Sequence, residues 1–152
     1  MRDGGMGELR MSRAVFEAVR AHGEEAYPEE CCGALLGRRV EGGWAVEAAL
    51  RAGNTRTESA RNRYGISPLE LIGAKREAGR LGVEIAGFYH SHPDHPAQWS
   101  RTDLQESHWV GCVYVITAVA EGRATVSNSF LLEGTSEEDK RFEGQRIEVL
   151  EG

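Results

Sequence analysis

Val83-Glu84-Ile85-Ala86-Gly87-Phe88-Tyr89-His90-Ser91-His92-Pro93 is the stretch of this 152-residue chain on which the fold turns. Val83 to Tyr89 reads as a strand, and in a strand alternate residues share a face. Ala86, Phe88, His90 and His92 then point one way. Pro93 has no N–H for a ladder, so it ends the strand and opens a loop through Asp94, His95 and Pro96. After six residues comes Ser100-Arg101-Thr102-Asp103. Ser-x-x-Asp is an N-capping pattern, which predicts a short helix from Ser100 to about His108.

Working outward, the best-marked helix lies just upstream. Ser67-Pro68-Leu69-Glu70 is a capping box with Pro at the first helical position. Leu71, Ala74, Ala78 and Leu81 form its inner face, and Gly82 stops it. Nearer the N-terminus, Ser12 caps a helix with Val15, Ala18 and Val19 at helical spacing, ending near Gly23. Cys31 to Leu36 is a short apolar run that reads as a buried strand. Gly42-Gly43 turns it into a second strand around Trp44 to Leu50. Asn54 to Tyr64 is polar and carries Arg56, Arg61 and Arg63, an exposed loop. Downstream, Cys112 to Val119, Thr125 to Leu132 and Arg141 to Val149 read as three more strands. Helices separated by strands of mixed length, with hairpins, indicate an α/β (α+β) class rather than a doubly wound sheet.

Composition sets the outer bounds. With 40% apolar residues, the chain is long enough for one domain with a real core. We expect a single domain over 1–152, its core about 12–150, with 1–8 flexible. The formal net charge of −6 argues against nucleic acid as a partner. No apolar run approaches a membrane span and the opening Met1-Arg2-Asp3-Gly4-Gly5 has no apolar h-region, so membrane partners are not expected and a cytoplasmic setting is. Three cysteines, with Cys31 and Cys32 adjacent, do not make a disulfide framework. They read as buried packing residues. Oligomeric state is open, and a homodimer is compatible with the sequence.

Chemistry concentrates in the opening stretch. Two His and one Asp are a sufficient set of protein ligands for a catalytic zinc that keeps a fourth position for water. His90 and His92 stand about 6–7 Å apart along one strand face, and Asp103 sits in the first turn of the next helix. Read alone, Ser100 and Asp103 are simply a helix cap, and a His-x-His pair occurs in many proteins without metal. A hydrolytic site also needs a base. Glu29 and Glu30 lie at the mouth of the buried strand, where desolvation raises a carboxyl pKa; a solvated acidic turn is the alternative reading.

Taken together, Glu30-Cys31-Cys32-Gly33-Ala34-Leu35-Leu36-Gly37, then His90-Ser91-His92-Pro93, six residues, and Ser100-x-x-Asp103 resemble the JAMM (MPN+) metalloprotease signature. Tyr64-Gly65-Ile66-Ser67-Pro68 and Gly87-Phe88-Tyr89 extend the similarity to the small prokaryotic branch, over residues 14 to 149. The resemblance implies a single MPN domain with a cytidine-deaminase-like mixed sheet flanked by helices. It implies one Zn2+ held by His90, His92 and Asp103 with water as fourth ligand. Glu30 would be the general base and Ser100 the oxyanion donor. It further implies a peptidase or isopeptidase that cuts the amide bond after the C-terminal Gly-Gly of a ubiquitin-like sulfur-carrier protein, releasing cysteine or a conjugated protein. Arg56, Arg61 and Arg63 are candidates for contact with the carrier, although exposed loop arginines without a partner are the simpler reading. Trp99 departs from the family's usual Pro, and Asp94 and His95 add titratable groups; these three stand where they can occlude the site or tune entry. The alternative is a non-catalytic MPN scaffold, although such modules usually lack the ligands. A nucleobase deaminase would need His-x-Glu and Pro-Cys-x-x-Cys, which are absent.

Overall fold

In a computed structural model, residues 7–53 and 66–151 are described. Arg56, Arg61 and Arg63, and the expectation of an exposed loop there, lie outside them. The elements are β1 (Glu8–Ser12), α1 (Arg13–Ala26), β2 (Cys32–Val40), β3 (Gly43–Ala52), α2 (Pro68–Leu81), β4 (Glu84–Pro93), α3 (Arg101–Gln105), β5 (Val113–Ala120), β6 (Arg123–Glu133) and β7 (Arg141–Leu150). The strands form one mixed sheet in the order β1-β3-β2-β4-β5-β6-β7 that closes where β7 pairs with β1. This is the α/β class expected, with mixed pairing: β4 runs parallel to β5 and antiparallel to β2.

The two faces of the sheet carry separate apolar layers, as period-two alternation requires. On one face Leu35, Tyr89, Val113 and Val115 pack with Val15 and Val19 of α1. The sheet curves around this helix, which touches β1 and β3 through β7. On the other face Ala34, Phe88 and Tyr114 pack with Ala74 and Leu71 of α2. No helix among the described residues is long and apolar enough to cross a membrane.

Local sequence explains most boundaries. Ser12 caps α1 by accepting from the Val15 N–H at 3.2 Å. Gly82, at φ +74, ends α2 in the left-handed region that glycine tolerates best. Gly42, at φ +91, turns β2 into β3.

Three features differ from the sequence reading. β1 is an additional strand: Leu9 and Met11 are buried between β3 and β7, ahead of the expected core start. Gly23 does not end α1, which runs on to Ala26. A Cβ at Gly23 would stand 3.0 Å from Val119 and 3.4 Å from Ser91, so this glycine is a packing contact. Ala86 leaves the face shared by Phe88 and the two His and joins the α1 layer. The cause is a bulge: Leu35 pairs with Gly87 and Leu36 with Ile85, leaving Ala86 as the extra residue in β4.

Candidate metal centre

β4 delivers the imidazoles. His90 and His92 lie on the α2 face of the sheet, with Nε2 atoms 3.2 Å from each other. Beyond Pro93 the chain loops and enters α3, whose capping box fixes Asp103. The Ser100 Oγ accepts from the Asp103 N–H at 3.0 Å, and Asp103 Oδ2 accepts from the Ser100 N–H at 2.8 Å. That box turns the carboxylate back to the strand. Oδ1 lies 3.1 Å from His90 Nε2 and Oδ2 lies 3.2 Å from His92 Nε2. The ligand atoms of the three residues all fall within 4.8 Å of one another, and together they can hold a metal ion.

The chemistry of the donors fits a cation. His92 Nδ1 lies 2.8 Å from the Pro96 carbonyl, which only accepts, so the ring proton sits on Nδ1 and the Nε2 lone pair faces the cluster. That lone pair meets a carboxylate oxygen and a second imidazole. Only positive charge, as a proton or a metal cation, holds such acceptors together. The titration behaviour without metal says the same. Burial disfavours an ionised Asp103, but hydrogen bonds from both imidazoles and the Ser100 N–H outweigh it and hold the carboxyl far below the usual range. Burial also disfavours the His92 cation, yet the Asp103 and Pro96 hydrogen bonds raise its pKa on balance. For His90, which is 2% exposed, burial wins and its pKa is lowered.

Glu30 enters from the mouth of β2. Gly33 lets that strand lie against β4: a Cβ there would stand 2.4 Å from the Tyr89 ring and from the Leu50 carbonyl oxygen. Ser91, between the two His, points to the opposite face and accepts from the Cys31 N–H at 2.9 Å, while its own N–H donates to the Cys31 carbonyl. The strand start carrying Glu30 is thereby tied between the two imidazoles. Glu30 is 8% exposed, and among the described residues its Oε1 has no hydrogen-bond partner. Burial, reinforced by Asp103 and Glu106 and opposed by His92, pushes its carboxyl up to about 8. Glu30, His92, Ser100 and Asp103 line one cavity of about 290 Å³ with His95, Pro96 and Gln98.

The geometry thus joins all five residues singled out from the sequence, with His90 buried behind His92. Of the others, His95 lines the cavity. Trp99 does not; its ring packs against Phe142 at 5.5 Å. Asp94 is engaged elsewhere, accepting from the Tyr27 hydroxyl at 2.6 Å and the Glu121 N–H at 2.9 Å. Cys31 and Cys32 are buried, and burial pushes the Cys31 thiol up to about 11, which leaves it inert. Sequence reading missed Ser91 and the Pro96 carbonyl. The signal for Ser91 was its alternation: between two His that share the α2 face it must point to the opposite, α1 face, where a buried hydroxyl needs a partner.

Similarity to known proteins agrees with this geometry. Residues 12–132 match a family described as prokaryotic homologs of the JAB domain. A protein of Haloferax volcanii named desampylase is 32% identical over 121 residues, covering 77% of this chain and 84% of the relative. A Thermus thermophilus protein named as a probable TtuB-protein conjugate cleaving protease is 34% identical over 101 residues. That match covers 66% of this chain and 64% of the relative. Among solved structures, a Salinibacter ruber protein superposes with a TM-score of 0.68 at 35% identity, covering 91% of each chain. One from Desulfitobacterium hafniense reaches a TM-score of 0.77 at 24% identity, covering 93% of this chain and 94% of that one, a likeness of fold.

Proposed function

The chain belongs to the prokaryotic JAB-domain family, the JAMM (MPN+) group, and from that premise we propose that it is a zinc-dependent peptidase or isopeptidase. Its substrate is a ubiquitin-fold carrier protein, cut at the amide bond after a C-terminal Gly-Gly. The names of the two relatives, a desampylase and a probable conjugate-cleaving protease, support the reaction class. The observation that carries the reading is Glu30: a buried carboxyl with an oxygen unpartnered among the described residues, in one cavity with His92, Asp103 and Ser100. A helix cap and a stray His pair have no use for it.

In this reading His90, His92 and Asp103 hold one zinc. When bound, zinc supplies a Lewis acid for the scissile carbonyl and lowers the pKa of water to about 7. Glu30 takes the proton of the attacking water at its carboxylate and returns it to the departing nitrogen. A carboxyl lifted by burial is matched to both tasks near neutral pH. Ser100 donates its hydroxyl proton to the oxygen on which charge develops. Its Oγ already accepts from the Asp103 N–H, so the dipole is fixed before reaction. A Gly-Gly tail is thin and extended, and a narrow approach beside the donors reads its backbone and refuses side chains.

The closed sheet of the described residues supports a single JAMM domain over 1–152, and three buried cysteines with no disulfide among the described residues support a cytoplasmic setting. The leaving group, cysteine or a protein amine, is decided by experiment. Zinc-loaded protein is incubated with ubiquitin-fold carriers whose Gly-Gly is extended by Cys or by a short peptide, and products are weighed by mass spectrometry. Release at the Gly-Gly junction is expected. Zinc-loaded protein that leaves every such junction intact refutes the substrate class.

A further inference from the structure

We infer that Asn128, on β6 and away from the donor set, is a positioning residue for His92. It acts through the strap of residues 94–98. This rests on the reading of His92 as a metal ligand.

The Pro96 carbonyl holds the proton on His92 Nδ1 and so leaves Nε2 free to ligate. A carbonyl can do this only if its peptide is fixed, and the strap belongs to neither the sheet nor α3. Its first end is tied three ways. The Asp94 N–H donates to the Val119 carbonyl at 2.7 Å, and the Asp94 carboxylate accepts from Tyr27 and from the Glu121 N–H. Asp94 adopts φ +58, a left-handed conformation that Asp tolerates through such local bonds.

The second end depends on Asn128. Its Nδ2 donates to the Ala97 carbonyl at 2.9 Å, one residue beyond Pro96. The sheet sets this reach: His90 pairs with Ile116 on β5, and Ile116 pairs with Asn128 on β6. The amide therefore stands on the same row as the ligand strand, and Ala97, 4% exposed, lies against Ile116, Ala118 and Phe130. Without the amide, the peptide next to Pro96 is held, among the described residues, by those apolar contacts. They set its distance from the sheet but not the direction of its carbonyl.

The test uses Asn128→Asp, which keeps the shape but turns an acceptor on the Ala97 carbonyl, and Asn128→Ala, which removes the group. Zinc affinity is measured by chelator competition, and the Co2+-substituted chains are compared by their visible absorption. Partners that orient ligating His typically contribute about 10–100-fold in metal affinity. Asn128 acts one step further out, so weakening of about 10-fold is expected in both variants, with an altered Co2+ spectrum. Excess zinc should restore kcat to within about twofold with KM unchanged. A merely structural role would lower the melting temperature of the metal-free chain and leave the zinc constant alone. Wild-type zinc constants in either folded variant overturn the proposal. A wild-type chain that binds no zinc overturns it together with the reading of the site.

Discussion

Two helices in this protein begin with the same device, and only one of them begins a site. At α2 the Ser67 hydroxyl accepts from the Glu70 N–H at 3.2 Å, and the Glu70 carboxylate accepts from the Ser67 N–H at 3.1 Å. At α3, Ser100 and Asp103 make the same reciprocal pair at 3.0 and 2.8 Å. The helices behind the two caps differ. α2 has 14 residues and buries Ala74 and Ala78, and its spare carboxylate oxygen accepts from the Gly53 N–H, holding the end of β3. α3 has only five residues, and its carboxylate is buried against two imidazoles. A cap that serves a long helix is a matter of stability. A cap on a five-residue helix cannot be stabilising much helix; it fixes one carboxylate. The function of a capping box is set by what its carboxylate faces.

The comparison breaks most sharply on removing the carboxylates. Asp103→Ala should abolish zinc binding by equilibrium dialysis and reduce hydrolysis by about 10³-fold or more, because the donor set loses its only anion. Glu70→Ala should bind zinc normally and lose about 1 kcal/mol, a melting shift of about 2–4 °C. Loss of zinc in Glu70→Ala, or retention in Asp103→Ala, would erase the distinction between the two caps.

Removing the hydroxyls sharpens the same contrast. Ser67→Ala should cost about 1 kcal/mol as a cap, and Ser100→Ala, on the five-residue α3, less than that. Only Ser100→Ala should also lower kcat, by about 10²–10³-fold, through the lost oxyanion donor. Equal rates in the two variants would reduce Ser100 to a cap.

A smaller effect concerns stability against pH. Burial raises Glu30 to about 8 in the folded metal-free chain, against 4.5 unfolded. Below about pH 4.5 both states hold the proton and nothing is lost. Between the two values the unfolded chain releases it while the folded chain keeps it, so stability falls as pH rises. Glu30→Gln removes that loss. Chemical denaturation of the metal-free chains should show the variant no more stable at pH 4 and about 1–3 kcal/mol more stable at pH 8. A gain that is flat across this range would place Glu30 in water.

Ser91→Ala should be the mildest of these on chemistry and cost about 1–3 kcal/mol in stability, by leaving the buried Cys31 N–H without its acceptor. Denaturant midpoints check it.

Much of the fold and site was legible in the chain because it is local. The two capping boxes, the hairpin at Gly42-Gly43 and the alternation that aligns His90 with His92 each depend on a few consecutive residues. Glu30 was legible only by its pattern with Gly33, whose missing side chain makes room for Tyr89. What escaped was non-local or irregular. β1 is five residues long and is defined by partners in β3 and β7 rather than by its own pattern. The bulge at Ala86 shifts one residue across the sheet, and the residue itself is neither a glycine nor a proline that would announce it. Gly23 looks like a helix stop until Val119 is brought against it. The strap of residues 94–98 is tied to Tyr27 and Asn128, and neither bond has a periodicity to read.

The proposed function makes one hydrolytic unit of a cap-held carboxylate, two imidazoles and a buried Glu. The most direct test of that claim measures zinc per chain and cleavage of a carrier Gly-Gly-peptide junction in the same samples of wild type and Glu30→Gln. One zinc is expected in both, with cleavage in the variant reduced by about 10²–10⁴-fold, the usual share of a general base. Equal cleavage at equal zinc content would contradict it.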